Sequence, residues 1–546
     1  MKNLFYIIFL LLIQHLTAQT PRQVLDLIPG TTSTFNDAQD ELKIGVGNRV
    51  LFVIYRQFKY ELWSSDGSEA GTTMLMIGKN GEDYPEFLPY DSKQVLFIAD
   101  RTTGNPGPRP SAEVWITDGT AANTRKLFSN TNRFIRKLVV HQGQIFYVSA
   151  SATEFFDQTE LWRYNPTTSE NQMLARYKGP NGIKDLIAFN DQLILLAQSK
   201  DSTYQLIKSD GTAGGTQAYH TLKNDGDLGG SPFLTATKQQ VFFFFRYTKH
   251  DELYRTDGTT AGTLRLATYE TINSGEVSRR EREFLAWNNL FFYSACALGT
   301  SFCAQEDFFV SDGTVAGTKQ LDFNDRSKED VNYLTPYRNQ LFFHPNQPPG
   351  VATTDGTLAG TRFPIVDNRS TNAIYGGEYL CVWQDSLYYP GYRAGGGDEL
   401  YQSDGTAAGT RFIDLRPGSS SSEPEQLTPA GNRLFFTANT SATGRELWVY
   451  EMVSTTTGIR NAEALPAELQ LWPNPASTNL ELQVKAAVDL AQIRVYDLLG
   501  RTRFQTPISG QVISTSIDVS TWPKGIYLLE LLAKNGTSKT EKFLIH

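Results

Sequence analysis

Seven short phrases in this 546-residue chain place an aspartate, a glycine and a hydroxyl side chain side by side, at Asp66, Asp118, Asp210, Asp257, Asp312, Asp355 and Asp404. Oxygen-rich phrases of this kind can hold calcium through carboxylates, hydroxyls and backbone carbonyls. Each carries only one firm carboxylate, however, and the alternating Asp/Asn positions with a distant Glu that mark an EF-hand are missing. The same residues suit a tight structural turn, because Asp bonds neighbouring backbone N–H groups and Gly accepts positive φ. The turn is the preferred reading, no cofactor is expected, and calcium is the alternative.

A second set of groups precedes each turn. A mostly acidic position holds Glu61, Glu113, Glu160, Gln205, Glu252, Asp307, Gly350, Glu399 and Glu446, and a mostly aromatic one two residues later holds Trp63, Trp115, Trp162, Ile207, Tyr254, Phe309, Ala352, Tyr401 and Trp448. Strand alternation puts both on one face. Aromatic platforms could stack on sugars and a ring of carboxylates could capture cations. Yet Ile, Ala and Gly are accepted, which fits packing between sheets better. The carboxylates then accept hydrogen bonds from Arg, Lys or backbone N–H groups of the adjoining sheet.

Other catalytic signatures are missing. The six histidines, His15, His141, His220, His250, His344 and His546, form no helical zinc pair. There is no G-x-S-x-G elbow and no P-loop. Carboxylates from different repeats could still pair for sugar hydrolysis, so a polysaccharide-degrading enzyme stays as an alternative to a non-enzymatic binder. Cys296 and Cys303 flank a short connection between candidate antiparallel strands, where a disulfide and two free thiols are both open; Cys381 reads as a buried thiol.

These groups need a scaffold, and the sequence describes it. The turn recurs at Asp66, Asp118, Asn165, Asp210, Asp257, Asp312, Asp355, Asp404 and Glu451, about every 48 residues, within the range of propeller and solenoid repeats. Each unit has a strand such as "RVLFVIY" or "VFFFFRY", apolar on both faces and therefore suited to a sheet covered above and below. Adding a weak strand before it, the "ELW" strand and a strand after "AGT" gives four antiparallel strands, the blade of an all-β propeller. The ninth unit lacks a fourth strand, while "VLDLIPG" (residues 24–30) matches "FIDLRPG" (residues 412–418), the fourth strand of the eighth. An N-terminal strand thus completes the last blade of a closed ring, which hides its sheet edges. Nine blades are expected, with eight as the alternative.

The ends are distinct. Lys2, the apolar run Leu4 to Ile13 and the small-residue stretch near Gln19 read as a signal peptide over residues 1–19, too short to span a membrane. The propeller is expected over 20–453, a linker over 454–469, and a small β-sandwich over 470–546. "LWPNPAS", "IRVYDLLGR", "IDVSTWPKGIYLLEL" and "KTEKFLIH" in this last part resemble the C-terminal sorting domain of the type IX secretion system of Bacteroidota. The matching positions are Pro473, Asn474, Pro475, Tyr496, Asp497, Gly500, Arg501, Gly525, Tyr527 and Lys542. That resemblance implies an outer-membrane translocon as partner, and release from the cell or display on its surface. The repeat itself resembles the "ELWxSDGTxAGT" proteins exported by bacteria, a likeness that implies no activity.

A net charge of -8 without a Lys/Arg stripe argues against nucleic acid. No later segment is long and apolar enough to span a membrane. The expected role is a secreted or cell-surface propeller that binds an extracellular protein or glycan, with a structural adhesin as a further alternative. Its most variable loops, residues 101–113, 295–307 and 391–399, all join second to third strands and so should share one face.

Overall fold

The computed structural model describes the chain except residues 1–15, 19–20, 28–32, 36–40, 58, 79–85, 100–111, 131–132, 152–157, 179–181, 200–202, 223–231, 248–249, 271–283, 296–306, 322–330, 346–349, 367–379, 394, 419, 455–466, 498–501 and 535–537. It falls into two compact units, Thr20–Glu451 and one that gathers Met452–His546.

Among the described residues the first unit is a β-propeller of nine antiparallel sheets. Blade 1, Glu41–Val46, Arg49–Arg56, Lys59–Ser65 and Thr73–Ile77, sets the pattern of four strands in sequence order. The second strands are Val95–Ala99, Gln144–Ser151, Gln192–Gln198, Val241–Arg246, Leu290–Ala295, Gln340–Pro345, Ser386–Arg393 and Arg433–Thr440 in blades 2 to 9. Their apolar residues are buried on both faces, as in Val50 to Ile54 and Val241 to Phe245, because each sheet is covered by two neighbours.

Among the described residues, separate apolar cores fill the successive junctions from blades 1 and 2 to blades 7 and 8, and the closing junction. Val53 and Leu62 of blade 1 pack with Val95 and Phe97 of blade 2. Phe242 and Phe244 of blade 5 pack with Phe291 and Tyr293 of blade 6. The closing junction joins Phe52 and Ile54 of blade 1 to Phe435 and Val449 of blade 9, with Val24 and Phe35 of the N-terminal segment between them. There the first strands approach closely: Leu42 N–H donates to Gln426 Oε1 at 2.8 Å, and a Cβ on Gly45 would lie 2.0 Å from the Pro429 carbonyl oxygen. We therefore expect Gly45→Ala to cost about 2 kcal/mol, because a backbone contact cannot rotate away. Denaturant unfolding that leaves the midpoint unchanged would contradict this.

Blade 9 takes its fourth strand from the N-terminus, where Arg22–Leu25 pairs with Gly444–Ser454. Its equivalence to blade 8 extends to single bonds. Glu399 accepts N–H groups from Leu415 and Ser422, at 2.9 and 3.2 Å, with Asp414 beside it. Glu446 accepts N–H groups from Leu27 and Thr34, with Asp26 beside it. Within the expected signal peptide, Leu16–Ala18 pairs with Met452–Ser454, so cleavage near Gln19 would remove that pairing and keep Arg22–Leu25.

In the second unit, Ala467–Trp472, Asn479–Asp497, Thr502–Asp518, Gly525–Ala533 and Ser538–Ile545 form one sheet. The long strand Asn479–Asp497 exchanges Ala467–Trp472 for Gly525–Ala533 between Ala486 and Leu490 while Thr502–Asp518 stays paired along its other side, so the sheet bends over itself as a small sandwich around Leu482, Val495, Leu529 and Phe543. An Ala476 to Ile545 bridge brings its two edge regions together.

Candidate functional site

The repeated turn is built alike in seven blades. At Asp210, Oδ1 accepts both the Thr212 N–H at 2.9 Å and the Thr212 hydroxyl at 2.7 Å. The Ser209 hydroxyl takes the Gly211 N–H at 3.2 Å and meets the Thr216 hydroxyl at 2.7 Å. Asp66, Asp118, Asp257, Asp312, Asp355 and Asp404 make the same bonds. The Thr212, Thr357 and Thr406 hydroxyls hold the carboxyls of Asp210, Asp355 and Asp404 below the usual carboxylate range. A cation at Oδ1 would have to displace both donors.

The final "AGT" glycine has a steric reason: a Cβ on Gly215 or Gly262 would lie 2.0 Å from the aspartate Oδ1. Blade 2 has Asn123 there instead; the turn tightens into a short 3-10 segment and the Asn side chain donates to Asp118 Oδ2 at 2.7 Å. In blade 3, Asn165 replaces Asp and Oδ1 still accepts the Thr167 N–H at 2.9 Å.

These turns also touch the preceding blade. Arg163 donates to the Gly211 carbonyl at 3.1 Å, and Gln240 to the Asp312 carbonyl at 2.7 Å. Gly405, at φ +93, brings its backbone against Phe342, where a Cβ would lie 2.9 Å from the ring.

The acidic and aromatic positions act as pairs. Trp63, Trp115 and Trp162 each donate Nε1–H to the glutamate two residues earlier, at 3.0 to 3.1 Å. Each also stacks on an aromatic directly across the sheet: Trp63 on Phe52 at 6.3 Å, Trp115 on Phe97 at 6.1 Å, Trp162 on Tyr147 at 6.2 Å. Blades 4 and 7 keep the register with Leu195 opposite Ile207 and Phe343 opposite Ala352. The partners of the carboxylates differ from expectation. Glu160 binds Arg133 and Arg176 of its own blade, at 2.8 and 2.9 Å, and Glu252 binds Arg265, also of its own blade. Glu399 and Glu446 reach into the segment that leads to the following blade.

Glu446 is fully buried, and burial raises its carboxyl to about 7; bonds from Thr34 and Leu27 lower it and Asp26 raises it further. Its native proton affinity exceeds that of an unfolded Glu near 4.3. The contribution to stability is therefore full below that value and lost as pH rises through about 7. Glu446→Gln should flatten the decline in melting temperature between pH 5 and 8, and an unchanged profile would refute this assignment.

The two ends of the ring differ in construction. Antiparallel order sends the first-to-second and third-to-fourth connections to one end, and the second-to-third and blade-to-blade connections to the other. The first end carries tight turns such as Gln142–Gly143 and Asn288–Asn289, at positive φ, together with the aspartate turns. At the second end the described strands stop before and resume after the long sequence intervals 100–111, 223–231, 271–283, 296–306, 322–330 and 367–379. Most of the variable loops 101–113 and 295–307, with both Cys296 and Cys303, lies outside the described residues, whereas the third, 391–399, is described except at 394 and joins strands Ser386–Arg393 and Gly397–Ser403. Cys381 is a half-buried free cysteine, and burial pushes its thiol well up, away from nucleophilic use. Among the described residues no group of three or more His, Cys, Asp or Glu is placed to hold a metal ion.

In the C-terminal unit, Pro473, Asn474 and Pro475 form the bend after the first strand, and Asn474 Oδ1 accepts the Leu544 N–H at 2.9 Å. Tyr496 donates to Glu530 at 3.0 Å, and Asp497 pairs with Arg503 at 3.0 Å. Tyr527 is buried and bonds the Pro523 carbonyl at 2.7 Å; Gly525 starts its strand, and Lys542 is exposed opposite Leu528. Gly500 and Arg501 lie outside the described residues.

Residues 470–546 match the family model of the secretion system C-terminal sorting domain, which supports the type IX reading and indicates export to the cell surface or the medium. No curated protein matches the chain. Solved structures similar to it include the β-propeller domain of the trilobed protease from Pyrococcus furiosus, at 10% identity and TM-score 0.34, covering 61% of this chain and 100% of that one. Acylaminoacyl peptidase from Pyrococcus horikoshii is similar at 14% identity and TM-score 0.36, covering 82% of this chain and 57% of that one. Sqt1 from Saccharomyces cerevisiae is similar at 10% identity and TM-score 0.36, covering 66% and 93%. The chain thus spans little more than half the length of the peptidase, and likenesses this weak say nothing about activity. No helix among the described residues is long and apolar enough to cross a membrane.

Proposed function

We propose that this is a non-enzymatic propeller, secreted or displayed on the cell surface, that binds an extracellular protein or glycan with the end of the ring that carries its long connections. The asymmetry of the two ends supports this reading. One end repeats the same turn, with its polar groups used internally or against the preceding blade. The other collects connections that differ in length and sequence from blade to blade, and recognition commonly resides in such segments on a rigid scaffold. In this reading the aspartate turns are structural and the C-terminal domain engages the outer-membrane translocon of a type IX system.

Incubating the purified chain with a panel of glycans and surface proteins tests the proposal. Retention without cleavage is the expected outcome. New reducing or unsaturated sugar ends would overturn it in favour of an enzyme, and self-association without any ligand in favour of an adhesin.

A further inference from the structure

Thr502–Asp518 of the C-terminal unit is a 17-residue strand with one open edge. It pairs with Asn479–Asp497 along one side, and among the described residues no strand lies along the other. The core side of the strand shows the same gap: Phe504, Ile508 and Ile513 pack against the sandwich core yet stay only partly covered. On the outer side, Val512 is 69% exposed.

Proteins ordinarily blunt an open edge with charge. The outer strands of the blades do so with Arg125 and Lys126, Glu170 and Arg176, Arg265, Lys319, Arg362 and Arg411, and the two without such residues, Thr73–Ile77 and Gln217–Leu222, are short. The 14 residues from Phe504 to Ile517 carry no charge at all. Pro507 interrupts this edge, but a proline removes only one donor from a ladder.

The edge is also complementary to its own reverse. Set antiparallel to a second copy about the point between Gly510 and Gln511, Phe504 faces Ile517, Thr506 faces Thr515 and Ile508 faces Ile513, all on the core side. On the outer side Arg503 faces Asp518, Gln505 faces Ser516, Pro507 faces Ser514 and Ser509 faces Val512. The charges at the two ends therefore meet opposite signs. The next row repeats this: Arg494 lies beside Gln505, and Glu481 beside Ser516. Arg503 already holds Asp497 of its own chain at 3.0 Å, and Asp518 accepts the Ser520 N–H at 2.9 Å, so the end residues are positioned before any partner arrives.

We propose that this edge binds a second copy of the chain, the two Thr502–Asp518 strands pairing antiparallel about a two-fold axis between Gly510 and Gln511. Main-chain hydrogen bonds supply the association, as in other strand additions, and the added strand covers Phe504, Ile508 and Ile513. An isologous contact of this kind closes at two chains. It is therefore distinct from the open-ended self-association that would mark an adhesin, and it holds whether or not the ring binds a ligand.

One strand pair buries less than the roughly 1,200–2,000 Å² of stable complexes, so a micromolar dimer is expected. Sedimentation of the full chain between about 1 and 100 µM tests it, and the parent should pass from one-chain to two-chain mass across that range. Ser509→Lys combined with Val512→Lys, both at exposed positions, sets like charges directly opposite each other on both sides of the axis and should weaken the dimer about tenfold or more. Ser509→Glu combined with Val512→Lys restores opposite signs and should dimerise within about threefold of the parent. A parent of one-chain mass throughout, or a first variant that dimerises like the parent, would overturn the inference. So would equal weakening of both variants, which would refute the register, or growth beyond two chains that neither variant changes.

Discussion

A chain that starts at Glu41, without residues 20–35 and the short stretch after them, should lose more stability than any single substitution in the ring. Val24 and Phe35 are buried in the closing junction, with Leu25 and Leu27 packed against them. Full burial of one such side chain is worth about 1.5–3 kcal/mol, so the deletion should cost at least about 5 kcal/mol. It would also remove the Thr34 N–H from Glu446, the Ser33 hydroxyl from the Arg445 N–H at 2.8 Å, and the backbone pairing of Arg22–Leu25. The third strand of blade 9 would then present an open edge, which invites pairing with other chains. A lower melting temperature and concentration-dependent association are the expected results, and a peptide of residues 20–40 added in trans should reverse part of both. A truncated chain that melts like the parent as a monomer would show that the ring does not depend on this clasp.

Phe244→Ala should have the next largest effect. The ring is fully buried between blades 5 and 6 and meets Tyr293 at 5.3 Å, Phe284 at 5.8 Å and Phe233 at 6.0 Å. Removing it leaves a cavity that rigid aromatic neighbours cannot fill, and a cost of about 3–5 kcal/mol is expected. Met173→Ala, on an exposed fourth strand, should stay within about 0.5 kcal/mol and serves as the control. Guanidinium unfolding of both variants decides the point. A Phe244→Ala midpoint close to that of the control would mean that this junction is not the packed core described above.

Much of the scaffold was legible because its physics is local. Second strands such as "VFFFFRY" are apolar on both faces for a sheet covered on both sides, and the repeated turn sets the length of the blade unit directly. The correspondence of "VLDLIPG" with "FIDLRPG" identified the closing strand, since the backbone after Asp26 and Asp414 performs the same task of donating N–H groups to a buried glutamate. The choice of nine blades over eight could not be made from the degraded units alone. It followed once Ala352 and Gly350 were seen to keep the register of the seventh blade without its Trp or Glu.

The chemistry of the acidic position was less legible. Its partners were expected in the adjoining blade, whereas Glu61, Glu113 and Glu160 bond the tryptophan two residues on. Strand alternation had put both residues on one face, but the indole N–H direction depends on rotamers that spacing does not encode. The register slips of the first strands, as between Ile135 and Lys137 and between Ile183 and Asp185, were not legible either, because a slip in one strand is defined only against its partner.

The most direct test of the account compares the two ends of the ring in one binding experiment. A ligand retained by the parent chain on the glycan and protein panel is titrated against two altered chains. One carries Thr260→Lys, Val315→Lys and Leu358→Lys on exposed positions of the aspartate turns; the other has residues 296–306 replaced by a Gly/Ser segment. With both altered chains melting cooperatively, affinity should fall about tenfold or more in the second and stay within twofold in the first. Loss of binding in the first with full retention in the second would place recognition on the repeated turns and contradict the account.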